Sequence, residues 1–132
     1  MKIPQAHIDE MIKHARRETP NECCGLIGGT PEEAQSIHRA ANAEVSPFRY
    51  SIAPREQLEL MNRIDDDGQQ VVGIYHSHTR TPAYPSQTDI NLASGWPDAV
   101  YFIVSLEHPD EPVVNAFRIQ DSAVKDVDLQ IS

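Results

Sequence analysis

A chain of 132 residues with 39% hydrophobic content suits one compact domain over residues 1–132, burying roughly two thirds of the surface its unfolded form would expose. A formal net charge of −9, from 20 acidic and 11 basic side chains, repels a phosphate backbone and argues against nucleic acid as a partner. Charges at Lys2, Asp9, Glu10 and Lys13 interrupt any signal-like apolar run, and stretches such as Ala99 to Val104 fall far short of the roughly 20 residues that span a bilayer; the expectation is a cytoplasmic protein without a membrane partner.

Pro4 can open a helix, and Ile8, Met11, Ile12 and Ala15 follow on one face, which predicts a helix from about Pro4 to Arg17. Thr19-Pro20-Asn21 reads as a turn. Cys23 to Ile27 then forms an apolar strand bounded by Gly28-Gly29, with Glu22 at its mouth. Cys23 and Cys24 are adjacent, cannot cross-link distant parts of a fold, and read as thiols of a reducing compartment. Strands are predicted for Ala34 to Ala40 and Phe48 to Ile52. Pro54 starts a second helix with an apolar stripe of Leu58, Met61 and Ile64, stopped at Asp65-Asp66-Asp67-Gly68.

Val71 to Ser77 reads as a core strand, Thr79 to Pro85 as loop, and Ser86-Gln87-Thr88-Asp89 as the capped start of a third helix. Strands at Ala99 to Leu106, Val113 to Ile119 and Val124 to Leu129 complete the chain, with Glu107 to Pro112 as a turn. The sum is an α/β fold, a single mixed sheet flanked by about three helices.

His76 and His78 flank Ser77 at the end of an apolar strand, so both imidazoles fall on the same face. A catalytic zinc site takes three protein ligands and keeps one position for water. Asp89, brought back by the proline-bearing loop, is the candidate third ligand, with Cys24 as its competitor. Water activated at such a site needs a base, and Glu22, a charge at the start of a buried strand, is placed for that role. Singly, each element has a plainer reading: paired histidines without a metal, a helix cap at Ser86, a solvated glutamate. His7, His14, His38 and His108 have no partner at ligand spacing and read as surface or satisfied histidines; Trp96 reads as packing.

Glu22-Cys23-Cys24-Gly25-Leu26-Ile27-Gly28-Gly29 resembles the E-x-C-G-x-x-x-G segment of JAMM (MPN-plus) metallopeptidases, and His76-Ser77-His78, seven residues, Ser86-x-x-Asp89 resembles their H-x-H-x(7)-S-x-x-D signature. The resemblance spans essentially the whole chain. It implies the JAMM/MPN, cytidine-deaminase-like layer architecture, Zn2+ held by His76, His78 and Asp89, Glu22 as general base and Ser86 as oxyanion donor. The stretch from Tyr75 to Thr79 and on to Ser86 is similar to stand-alone bacterial members that trim a ubiquitin-like sulfur-carrier protein after Gly-Gly and release cysteine, which makes that carrier the expected partner and cysteine biosynthesis the expected pathway. Thr79 stands where many eukaryotic members have proline. The rival readings are a non-catalytic MPN-like scaffold, a metal-binding module, and a deubiquitinase-like peptidase. A cupin lacks its glutamate here, and a zinc nucleoside deaminase its P-C-x-x-C.

Overall fold

A computed structural model describes residues Met1–Ser132. In chain order it contains β1 (Lys2–Ile3), α1 (Gln5–Glu18), β2 (Cys24–Thr30), β3 (Glu33–Ala40), α2 (Pro54–Asp66), β4 (Gln70–His78), α3 (Gln87–Leu92), a 3-10 turn (Ala93–Gly95), β5 (Val100–Ser105), β6 (Val113–Gln120), β7 (Ala123–Val127) and β8 (Gln130–Ile131). The strands form one mixed sheet in the order β7-β6-β5-β4-β2-β3-β1-β8. β4 is its pivot, antiparallel to β2 and parallel to β5. Its outermost strands, β7 and β8, are joined by only Asp128 and Leu129, a span of about 10 Å at most, so the sheet curls until its two edges approach each other. No helix is long and apolar enough to cross a membrane.

The period of two along each strand sorts the core into two layers. Cys23, Ile27, Tyr75, Val100, Phe102 and Val104 pack with Ile8, Met11 and Ala15 of α1. Cys24, Leu26, Ile74 and Tyr101 face the other way, against Leu60 and Ile64 of α2 and Ala93 of the 3-10 turn. His76 and His78 continue the Ile74 face, so they lie on the side of α2 and α3.

Three sequence expectations give way. Phe48 to Ile52 is irregular, because the Asn42 side chain, rather than a neighbouring strand, takes its backbone groups: the Nδ2 amide donates to the Arg49 carbonyl at 3.0 Å and Oδ1 accepts from the Ser51 N–H at 3.2 Å. On α2 the buried stripe is Leu60 and Ile64, spaced i, i+4, while Leu58 is 59% and Met61 37% exposed. Gly28-Gly29 bounds nothing; β2 runs on to Thr30 through a bulge. A Cβ at Gly29 would run into the Glu33 carbonyl oxygen, so the absence of a side chain is what lets β3 fold back so tightly.

Gly25 is required for a related reason. The Tyr75 ring crosses from β4 directly over it, and a Cβ there would meet Tyr75 Cε1 and the His38 carbonyl oxygen. That crossing carries the Tyr75 hydroxyl to His14 Nδ1 at 2.7 Å, inside the layer beneath α1. Gly25→Ala is therefore expected to destabilise the fold by about 1–3 kcal/mol, the usual cost of overpacking, read as a lower urea midpoint at unchanged slope.

Candidate metal centre

The pairing of β2 with β4 builds the centre. Cys24 lies opposite His76, and the Ser77 N–H donates to the Cys23 carbonyl at 3.1 Å, so the same register carried one step further sets Glu22 opposite His78. Glu22, Cys24, His76 and His78 thus share one face. Ser77, on the other face, accepts the Cys23 N–H at its hydroxyl at 2.8 Å and fixes the strand end that carries Glu22. The loop after Ala40 clamps Glu22 from outside: its N–H donates to the Ser46 carbonyl at 2.9 Å, and its carbonyl accepts from Asn42 Nδ2 at 3.0 Å.

α3 delivers the third group. Ser86 caps the helix, its hydroxyl oxygen accepting the Asp89 N–H at 3.1 Å while Asp89 Oδ2 accepts the Ser86 N–H at 2.9 Å. This reciprocal box aims Oδ2 at the two histidines, 3.1 Å from His76 Nε2 and 3.0 Å from His78 Nε2, with the two nitrogens 3.2 Å apart. His76, His78 and Asp89 are the group of side chains placed to hold a metal. Cys24, the competitor, turns its thiol to the Ala41 carbonyl and stands outside that group.

The donor chemistry fits a metal. Zinc–nitrogen and zinc–oxygen bonds of about 2.0–2.1 Å put the ligands of a tetrahedral site about 3.3 Å apart, close to the triangle observed. Each histidine is prepared for such a role by its other contacts. His78 Nδ1 donates to the Pro82 carbonyl at 2.9 Å, which leaves Nε2 of the neutral ring with a lone pair. His76 is held by its face, since the Tyr50 ring stacks on it at 4.6 Å between centroids and 22° between planes.

The electrostatics divide the four groups. Burial raises the Asp89 carboxyl, but hydrogen bonds from His76 and His78 and from the Ser86 N–H outweigh it and hold the group well below the usual carboxylate range. Burial lowers His76 against the opposing pull of Asp89. For His78 burial is overcome by Asp89 and the Pro82 carbonyl, and the ring is raised. Glu22, 5% exposed, is pushed up to about 8, chiefly by burial, with His78 opposing and Asp89 adding. Its Oε1 has no hydrogen-bond partner, and neither has His76 Nδ1.

Glu22, His78 and Ser86 line one cleft of about 210 Å³, walled by Pro47 and Phe48 on one side and by Thr79, Arg80 and Thr81 on the other. A larger cavity of about 720 Å³ runs beside Tyr84, Val113 and Leu129. It holds none of the converging donors, so the chemistry lies in the smaller cleft. The remaining histidines read as expected: His14 is satisfied by Tyr75, His7 by the Gln35 carbonyl and His38 by Ser36, and His108 is exposed. Trp96 packs, partly buried, against the α2 layer. The roles of Asn42, Tyr50 and Ser77 escaped the sequence reading, that of Tyr50 because it falls within the strand predicted for Phe48 to Ile52.

The chain matches the family described as prokaryotic homologs of the JAB domain over residues 4–120. It is 40% identical over 127 residues to the CysO-cysteine peptidase of Mycobacterium tuberculosis, covering 94% of this chain and 86% of that one. It is 34% identical over 104 residues to the desampylase of Haloferax volcanii, covering 74% of each. Protein DSY2949 of Desulfitobacterium hafniense has the same fold with a TM-score of 0.90 at 34% identity, over 100% of this chain and 93% of that one. A JAMM structure described by a metalloprotease-like zinc site in the proteasome and signalosome aligns over 100% of this chain and 97% of its own with a TM-score of 0.63; at 18% identity it speaks for the fold alone.

Glu22 binds its proton more tightly in the folded chain, at about 8 against an ordinary 4.5, so the folded state is favoured by protonation and penalised once the buried carboxyl ionises. In protein freed of divalent metal, stability should fall as pH rises between those two values and level off above them. Glu22→Gln should reduce that fall, leaving the share set by the raised His78 ring, as read from urea midpoints across the same range.

Proposed function

The chain belongs to the prokaryotic JAB-domain family of JAMM-type hydrolases, and from that premise we propose that it is a zinc-dependent peptidase, acting as one domain over residues 1–132, that cuts after the C-terminal Gly-Gly of a ubiquitin-like sulfur-carrier protein and releases cysteine. The observation that carries the reading is the convergence of His76 Nε2, His78 Nε2 and Asp89 Oδ2 within 3.2 Å of one another, beside a buried Glu22 whose Oε1 has no hydrogen-bond partner. The substrate class is supported by the identity with the mycobacterial CysO-cysteine peptidase across 94% of the chain. A non-catalytic scaffold has no use for a carboxyl buried without a partner, a state that costs stability.

In this reading His76, His78 and Asp89 hold the zinc, an N,N,O set of the kind found in catalytic sites. The ion supplies Lewis acidity toward water and toward the scissile carbonyl. Glu22 takes the proton of the attacking water at Oε1 and passes it to the leaving nitrogen as the carbon–nitrogen bond breaks. Burial keeps its carboxyl basic, at about 8 in the metal-free chain, and a positive charge held at the donors would lower that value, so that the group can serve as base and then as acid. Ser86 spends a lone pair on the helix cap, which leaves its O–H free to donate to the carbonyl oxygen as that atom gains charge, a contact worth roughly 3 kcal/mol where it acts. Tyr50 shields the outer face of His76 from water.

Metal analysis of the purified protein is expected to find about one zinc per chain in the wild type and none in His78→Ala; zinc retained by the variant would refute the ligand set. Glu22→Gln should keep the metal and lose roughly a hundredfold or more in rate, with Ser86→Ala losing similarly or less. For the substrate, mass spectrometry of a Gly-Gly-Cys-ended carrier protein should show loss of one cysteine, while the same tail as a free peptide is cut slowly, because contacts with the folded body also position the carbonyl. An uncut carrier counts against the substrate, and equal cutting of the peptide against recognition of the body.

A further inference from the structure

Arg80 stands in an unusual position for a cation of this acidic chain. It is two residues beyond His78 on the wall of the cleft that holds Glu22 and Ser86, and with Glu22 it is one of the two acidic or basic side chains that line it, His78 aside. The backbone that follows it is fixed at three successive carbonyls: Thr81 accepts from the Ser105 hydroxyl at 2.6 Å, Pro82 from His78 Nδ1 at 2.9 Å and Ala83 from Asn115 Nδ2 at 3.2 Å. The end of β4 fixes it from the other side. Arg80 thus springs from a rigid pedestal, and its exposed guanidinium is spent on no ion pair, whereas Arg39 is committed to Glu10 at 2.7 Å.

We propose that Arg80 is a specificity-determining residue that reads the free α-carboxylate of the residue released at the site, so that the protein trims C-terminal residues in preference to cleaving side-chain-linked conjugates. This rests on the peptidase reading above and goes beyond it. In a single terminal residue the scissile nitrogen and the carboxylate share one α-carbon, which puts the negative charge within about 4 Å of the reacting carbon. That charge must enter a cleft already bearing Glu22, close to Asp89, on a chain of net charge −9. The zinc of the peptidase reading is offset there by Asp89 and Glu22, which leaves Arg80 as the one free cation in the wall. A guanidinium offers a planar pair of donors matched to a carboxylate. A conjugate linked through a lysine side chain brings no carboxylate to that place, and Arg80 would have nothing to pair with.

The test uses a ubiquitin-like carrier ending in Gly-Gly-Cys, made both as the free acid and as the C-terminal carboxamide. The wild-type protein is expected to cut the acid about tenfold faster in kcat/KM than the amide, the scale of a charge-assisted pair discounted for solvent exposure. Arg80→Gln should bring the acid-to-amide ratio close to one, and Arg80→Lys should restore part of it. Binding of both carriers to the Glu22→Gln protein, by fluorescence anisotropy, should show the same ratio and its loss when Arg80→Gln is added. Equal rates on acid and amide in the wild type, or a ratio that survives Arg80→Gln, would overturn the role of Arg80 while leaving the peptidase reading intact. If neither carrier is cut but the difference in binding persists and depends on Arg80, the peptidase reading falls and carboxylate recognition stands. No binding of either carrier would overturn both.

Discussion

The site depends on the register of β2 against β4. Strand side chains alternate, so one residue of slip would turn His76 and His78 toward α1 and bring Tyr75 and Ser77 to the cleft. The pairing of Cys24 with His76 excludes that slip, and both layers enforce it: Leu26 and Ile74 must face α2 while Ile27 and Tyr75 face α1. Gly25 belongs to the same device, since only an absent side chain lets Tyr75 lie across β2 in this register. The hydrophobic pattern that folds the sheet is therefore also what sets Glu22 opposite His78.

Around that frame, the polar groups at the site are held by backbone and side-chain contacts drawn from distant parts of the chain. Asn42 ties both Glu22 and the Arg49–Ser51 backbone, so the loop carrying Tyr50 and the strand end carrying Glu22 are fixed by one amide. His78 leans on Pro82 and His76 on Tyr50. The first contact fixes both ring orientation and tautomer and the second orientation alone, and these are as necessary to a donor set as the identity of the donors. Glu22 Oε1 and His76 Nδ1 are left without a partner, which sets the centre apart from the satisfied histidines elsewhere in the chain.

Much of this was legible beforehand, for reasons that differ by element. The α/β architecture followed from periodicity, which is strong in α1 and in the long apolar strands β4 and β5. The grouping of His76, His78 and Asp89 followed from the strand period and a cap signature, both local rules. The α2 stripe differs from expectation because two apolar rows that share Ile64, one through Leu58 and Met61 and one through Leu60, fit a helix equally well until the sheet selects one. Phe48 to Ile52 had the composition of a strand, but its pairing was decided by a side chain several residues away, a non-local choice that propensity does not record. β1 and β8 are two residues each and exist only because they meet across the curl. The place of Arg80 on the cleft wall likewise depends on a backbone fixed just beyond it by three hydrogen bonds that close only in the folded chain.

One carboxylate oxygen of Asp89 both starts α3 and faces the two imidazoles. A helix of six residues is well below the length that persists by itself in water, so α3 has little order to spare once its cap is withdrawn. Whatever draws Oδ2 aside also frees the Ser86 N–H and loosens the hydroxyl poised in the cleft. The geometry of the donor triangle and the cooperative order of α3 are in this sense one thermodynamic property, and the helix reports locally, by being formed or frayed, whether the centre is assembled.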